Sequence, residues 1–306
     1  MRFNRLDLNL LVALDALLTE RSITRAAERL NLSPSATSNA LARLREYFDD
    51  ELLVQVGRRM EPTPRAEGLA DAVRDVLVRV DSTIASRPAF DPTASDRTFR
   101  IFASDYTQQV LAPHLLALAS AARAAVRFDF LPQVSNPARI LERGEADLQI
   151  IPREFLSAEH PHEPLYEETF VCVVCRDSSL ARGTLDRARY LAAGHVVMQP
   201  PGGGNTAFEA WAFERLGIAR RVAATSFGFV ALPAMVAGTE LIATVHRRLA
   251  ERMAPAAGGV LRPLPLEIPP MTQSLQWHGY RTQDPGLVWL RTLLRQAVQR
   301  MDAATV

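Results

Sequence analysis

The stretch that decides the fold is Ser22-Ile-Thr-Arg-Ala-Ala-Glu-Arg-Leu-Asn-Leu-Ser-Pro-Ser-Ala-Thr-Ser-Asn-Ala-Leu-Ala-Arg-Leu44. Ser22 caps a brief helix, Ile23 to Leu30, whose small face of Ala26 and Ala27 with Leu30 permits close packing. Asn31-Leu32-Ser33 is a tight turn. Ser33 and Pro34 then open another helix, a capping hydroxyl followed by a proline where the missing N–H costs nothing. That helix runs to about Tyr47 and turns Ala36, Ala40, Leu41 and Leu44 inward. Two short helices joined this way predict a helix-turn-helix, whose second helix presents its N-terminal residues to the major groove of DNA. The outward positions are then Ser35, Thr37, Ser38, Asn39 and Ala42. Small hydroxyls and an amide can donate to and accept from base edges without desolvating a full charge. An ordinary surface helix with a polar face is the competing reading.

Local charge separates the two. The chain has 306 residues, a soluble-protein composition and a formal charge of only +1, and its length predicts about two domains. Between Arg21 and Arg45, however, lie five arginines and one acid. Such clustering is an electrostatic footprint of phosphate binding. All 35 basic residues are arginine, which excludes chemistry that needs an ε-amine, such as a Walker A loop or a lysine Schiff base. Each positive site is instead a planar donor fork suited to phosphate and base edges.

Upstream, Asp7 caps a helix reaching about Glu20, with Leu8, Leu11, Leu14 and Leu18 on one face. Downstream, Leu52 to Val56 reads as a strand, Gly57-Arg58-Arg59 as a turn and Met60-Glu61 as the returning strand. Together they predict a wing whose arginines reach a minor groove or the sugar-phosphate rim. Pro62-Thr-Pro-Arg65 breaks that strand. From Ala66 to about Arg87 the pattern is helical, and Leu69, Val73, Val76 and Val80 form an a/d seam. A dimerising linker helix is expected, with a helix packed on its own domain as the alternative.

Four runs carry a resemblance: Leu8-Asn-Leu-Leu-Val-Ala-Leu-Asp-Ala-Leu-Leu18, Ser22 to Leu30, Leu32-Ser-Pro-Ser-Ala-Thr-Ser38 and Met60-Glu-Pro-Thr-Pro64. Together they resemble the N-terminal domain of LysR-type transcriptional regulators over residues 6 to about 87. The last run looks like the branch containing nodulation regulators and salicylate-responsive activators. Gln55 departs from the arginine common in relatives. The resemblance implies a DNA-binding set of Ser33, Pro34, Ser35, Thr37, Ser38, Asn39, Arg43, Arg58 and Arg59. It also implies double-stranded operator DNA and RNA polymerase as partners, with a second copy held through the linker helix and a tetramer expected.

Asp91-Pro-Thr-Ala-Ser-Asp96 marks a boundary. Beyond it strands alternate with helices, which predicts two α/β units with mostly parallel sheets and a chain return to the first at about Pro265. The expected division is a winged helix-turn-helix over 1–64, a linker helix over 65–90 and an effector domain over 91–306. The effector domain splits into subdomain I, about 97–164 with 267–306, and subdomain II, about 165–266. Phe99-Arg-Ile-Phe-Ala-Ser-Asp-Tyr106, Leu141 to Leu148, Ala231 to Gly238 and Trp277-His278 resemble the effector domain of the same family, which implies a two-subdomain periplasmic-binding-like fold. Asp177-Ser-Ser-Leu180 replaces a more usual His-Pro-Leu turn.

Ligands of such sheets sit beyond the carboxyl ends of strands. Ser104, Asp105 and Tyr106 end the first strand and enter a helix whose free amides favour an anion. Gly202 and Gly203, in Pro200-Pro-Gly-Gly-Gly-Asn205, give bare backbone that a ligand can approach; a plain loop is the alternative, and dinucleotide spacing is absent. Phe227 and His246 end later strands, and Trp277-His278 precede the closing helix. These are the candidate effector contacts, for a small aromatic or carboxylated molecule. Cys172 and Cys175 lie in Phe170-Val-Cys-Val-Val-Cys175, a strand interior that points them to opposite faces and disfavours a disulfide. Neither a metal nor a cofactor site is expected.

Three function classes follow. The first is a cytoplasmic, sequence-specific transcriptional regulator whose lobes close on an effector. The second is a cytoplasmic solute-binding module without DNA binding, its N-terminal helices serving dimerisation. The third, an enzyme using Asp105, His246 or His278, lacks any triad or metal-ligand spacing, so no catalytic residue is expected. No run approaches the ~18 apolar residues of a membrane span.

Overall fold

The computed structural model describes residue 6 and residues 8–57, 59–83, 89–132, 137–199 and 207–304. The chain divides into two compact units, residues 1–86 with 142–144 and the remainder.

In the first unit, α1 (Leu8–Glu20), α2 (Ile23–Leu30) and α3 (Pro34–Phe48) precede a two-stranded wing, β1 (Leu53–Val56) and β2 (Arg59–Pro62), and then α4 (Pro64–Thr83). The caps are local chemistry. The Ser22 hydroxyl accepts from the Arg25 N–H, and the Ser33 hydroxyl from the Ala36 N–H. Asn31 ends α2 in the left-handed region at φ 52°, a conformation asparagine tolerates better than most side chains. At the base of the wing, the Asp50 carboxylate accepts from Thr63 Oγ1 at 2.6 Å and from the Leu52 N–H at 2.7 Å. These bonds hold its carboxyl below the usual range. The cap expected from Asp7 lies outside the described residues.

The core face of α1 coincides with the expected one only in part, at Leu14 and Leu18. Leu10, Ala13, Leu14 and Leu17 are buried, whereas Leu8 is exposed. This helix is apolar nearly all round, so its neighbours choose which stripe is covered. Part of the α4 seam also turns inward, because Leu69, Val73 and Leu77 pack on the α1 to α3 core while Val76 is exposed. Arg74 of α4 reaches α1, with Nε 2.7 Å from Asp15 Oδ1 and Nη2 2.7 Å from Thr19 Oγ1.

The second unit holds two five-stranded sheets. The first contains β3 (Thr98–Ala103), β4 (Arg127–Leu131), β5 (Leu148–Pro152), β6 (His162–Glu168) and β12 (Met271–Trp277), in the order β4-β3-β5-β12-β6. The second contains β7 (Phe170–Cys175), β8 (Gly194–Met198), β9 (Arg221–Ser226), β10 (Leu241–His246) and β11 (Gly259–Pro263), in the order β11-β7-β10-β8-β9. Helices α5 (Asp105–Ala121), α8 (Phe208–Arg215), α9 (Leu232–Met235), α10 (Arg247–Met253) and α11 (Pro285–Ala303) flank them, with α6 (Pro137–Glu142) and α7 (Arg187–Ala192) as short connectors.

The sheets are mixed rather than mostly parallel. The pairs β3/β4, β3/β5, β8/β9 and β8/β10 are parallel, but β12 pairs antiparallel with both β5 and β6, and β7 with both β10 and β11. The cause is connectivity. The chain passes between the sheets at Thr169 and again between β11 and β12, and strands entering from the other lobe run against the parallel set. Cys172 and Cys175 are free and buried in β7.

Candidate functional site

On α3, Ser35, Ser38, Asn39 and Ala42 are exposed, as the spacing requires. Thr37 is not. It is fully buried, and its hydroxyl donates to the Ser33 carbonyl at 3.2 Å. Thr37, Leu41 and Leu44 follow the i, i+4, i+7 stripe and are the buried face, while Ala36, expected inward, is exposed. Ser33 acts as the cap, with its Oγ 3.2 Å from the Ala36 amide and 3.0 Å from Ser35 Oγ. Pro34 stands exposed at the first helical position.

The arginine excess is redistributed by folding. Arg21 pairs with Glu61 at 2.7 Å, and Arg29 with Asp15 at 3.2 Å. Arg45 donates to the carbonyls of Glu51 and Leu53. Residues 1–64 hold nine arginines and nine acids, so this segment offers positive points rather than a net positive body. Arg25 and Arg43 are exposed beside the α3 row, and Arg59 is exposed at the wing turn. Arg58 lies outside the described residues.

In the second unit, strand direction sorts the candidates. Ala103, Pro152, Met198, Ser226 and His246 are the carboxyl ends of parallel strands, and Ser104, Asp105, Tyr106, Phe227 and His246 therefore gather where the sheets face each other. Trp277 and His278 do not. β12 runs antiparallel, and Trp277 is paired with Leu148, the first residue of β5, so both lie at the opposite end of their sheet. There the Trp277 Nε1–H donates to Thr282, Arg291 stacks 3.7 Å over the indole, and His278 packs against His160 and Tyr280. Gly202 and Gly203 lie outside the described residues.

The cleft walls are aromatic. Tyr106 of the first lobe stacks on His246 of the second, with centroids 3.7 Å apart and planes 9° from parallel. Phe170 and Phe229 close around the same imidazole at 4.9 and 4.7 Å. Phe170 stacks on Phe208, Phe208 meets Trp211, and Trp211 meets Phe155 of the other lobe at 6.3 Å. Phe155 and Trp211 are half-buried, while Phe227 is 84% exposed. Burial holds the His246 imidazole neutral, its pKa pushed down to about 3, and among the described residues its Nδ1 has no hydrogen-bond partner. At the crossing between lobes, the Tyr106 hydroxyl donates to Glu168 at 2.5 Å. Burial raises the pKa of both groups.

Sequence reasoning missed Phe155, Phe170, Phe208, Trp211, Phe229 and Glu168. Phe208 and Trp211 stand three apart at the start of α8, a spacing that puts both rings on one helix face. That signal was readable. The others reach the cleft only through the chain crossing and through loops. Ser104 is buried and serves as a cap, its hydroxyl accepting from the Thr107 N–H at 3.1 Å.

Asp105 faces across the cleft. Its carboxylate accepts from the amides of Phe229 at 3.1 Å and Val230 at 2.9 Å, both on the other lobe. Among the described residues no helix is long and apolar enough to cross a membrane.

Residues 8–67 match the helix-turn-helix domain of bacterial regulatory proteins of the lysR family, and residues 93–299 match the LysR substrate binding domain. Nodulation protein D 2 of Rhizobium tropici is 42% identical over 301 residues, covering 98% of this chain and 96% of the relative. Among solved structures, the probable transcriptional regulator PA0477 of Pseudomonas aeruginosa is 33% identical with a TM-score of 0.69, over 96% of this chain and 97% of that one. Full-length CbnR complexed with its target DNA shares the fold at 16% identity and a TM-score of 0.61, over 95% and 100% of the two chains.

Proposed function

The chain belongs to the LysR family of transcriptional regulators, and from that premise we propose that α3 reads operator sequence while the aromatic cleft of the second unit binds a planar small-molecule effector. The observation that carries the DNA reading is the exposed row Ser35, Ser38 and Asn39 on a helix capped by Ser33 and crossed by the small-faced α2. Asn39 is the side chain best suited to a bidentate contact with adenine. Arg43 and Arg59 contact phosphate or the minor-groove rim, and Arg58 shares the wing turn. The balanced charge of residues 1–64 makes local arginine placement, rather than bulk attraction, the source of the salt dependence.

The cleft reading rests on the ring set Phe155, Phe170, Phe208, Trp211, Phe229 and His246, which offers stacking faces and a neutral imidazole. Its walls already touch, so an effector enters by parting them. By linkage it shifts the regulator only by its differential affinity for the parted and closed states. The functional division is 1–64 for DNA, 65–90 for pairing two copies and 91–306 for the effector. Exposed Leu8, Val12 and Val76 supply apolar surface for a second copy. A tetramer and contact with RNA polymerase complete the proposal.

Sequencing genomic fragments retained by the full-length protein tests the DNA reading. Enrichment of one short motif, with affinity falling steeply in salt, is expected. Equal retention of random duplexes refutes it, and retention of no DNA favours a solute-binding module.

A further inference from the structure

Building on the effector reading of the cleft, we propose that Asp105 is a specificity-determining residue: a wall carboxylate that fills the cleft's anion seat and restricts effectors to neutral aromatic molecules. The seat is built for a carboxylate. Asp105 Oδ1 accepts from its neighbouring Tyr106 amide at 2.9 Å and from Phe229 at 3.1 Å, and Oδ2 accepts from Val230 at 2.9 Å. Gly228 leaves the room, since a Cβ at that position would lie 2.5 Å from Oδ2. The Ser226 hydroxyl fixes the loop by donating to the Gly228 carbonyl at 2.9 Å.

Two loop amides that would hold a ligand's carboxylate are therefore already engaged by a side chain from the opposite lobe. An anionic ligand brought beside the half-buried Asp105 meets a like charge. A neutral ring with hydroxyl or amide groups meets no such repulsion and stacks on the half-buried rings of Phe155 and Trp211. The amides expected to be free at the start of α5 are likewise engaged within the chain, Tyr106 by Asp105 and Thr107 by Ser104.

The test uses the full chain and a matched pair of probes, 2-naphthamide and 2-naphthoate, titrated by calorimetry. The wild type is expected to bind the amide and to bind the carboxylate at least about tenfold more weakly, the scale of one charge-assisted hydrogen bond. Asp105→Ala empties the seat and tightens naphthoate by about tenfold or more while naphthamide changes little. Adding Gly228→Ala to that variant places a methyl in the seat and removes the gain. Equal affinities of the wild type for both probes, or a naphthoate gain that survives in the double variant, overturn the role of Asp105. If neither probe binds the wild type, the aromatic-effector reading itself fails. Should Asp105→Ala not fold in chloride buffer, refolding in acetate supplies the missing carboxylate. Recovery in acetate alone is expected, and no recovery in either salt overturns the seat.

Discussion

Thr37 and Asn39 stand two residues apart on α3, yet one is buried and the other exposed. Asn39→Ala is expected to relax discrimination at one base pair by ~1 to 3 kcal/mol, visible as a flattened position in a selected-site profile. Thr37→Val should leave that profile unchanged and cost the fold about 1 kcal/mol for the lost hydroxyl bond to Ser33, measured by urea unfolding. Arg43→Ala weakens binding to all sequences and lowers the salt slope by about one. Composition and spacing correctly exposed Ser35, Ser38 and Asn39. They misassigned Thr37, because a 15-residue helix with alanine and small polar residues on both sides offers two adjacent stripes of nearly equal hydrophobicity. Only the partners, α1 and α2, choose between them.

At the scale of elements, caps and turns were legible because they are local chemistry, as at Ser22, Ser33 and the Gly57 turn. Contact faces were less so. Leu8 was expected inside and is exposed, and Leu69 and Val73 of the α4 seam serve the core of their own unit. The Asp15–Arg74 pair adds an ionic tie between α1 and α4, with the Arg74 side chain 9% exposed. Arg74→Ala leaves Asp15 with Arg29 as an ion-pair partner but removes the shorter bond and should destabilise the first unit by about 1.5 to 3 kcal/mol, read as a shift in the denaturant midpoint. Replacing both partners, Asp15→Leu with Arg74→Met, should recover most of that loss, since the burial penalty disappears with the charges. The mixed order of both sheets was not legible. Alternation of strands and helices gives the same local pattern whether a strand pairs parallel or antiparallel with its neighbour.

For the whole molecule, two buried imidazoles set a pH limit. Burial pushes the pKa of His195 down to about 4 and that of His246 to about 3, from an ordinary 6.5. Both are protonated more readily when the chain unfolds, so their stabilising effect is complete above about pH 6.5 and is lost as pH falls toward those folded values. Each costs about 1.4 kcal/mol per pH unit in that window, or about 2 kcal/mol by pH 5. Thermal unfolding between pH 7 and 5 should show the loss, and His246→Phe should reduce its slope. A slope unchanged in that variant would remove His246 as a source. The sequence by itself determined the capped helix pair, the wing, the alternating second unit and the family, because these rest on near-neighbour periodicity and turn chemistry. It also placed Asp105, Tyr106 and His246 at strand ends. Only the tertiary structure decided that Trp277 and His278 face away, since the direction of β12 depends on the chain crossing between lobes. It alone decided that the amides facing the cleft are filled by Asp105, because that contact joins residues more than 120 positions apart, a separation at which local pattern carries no information about pairing.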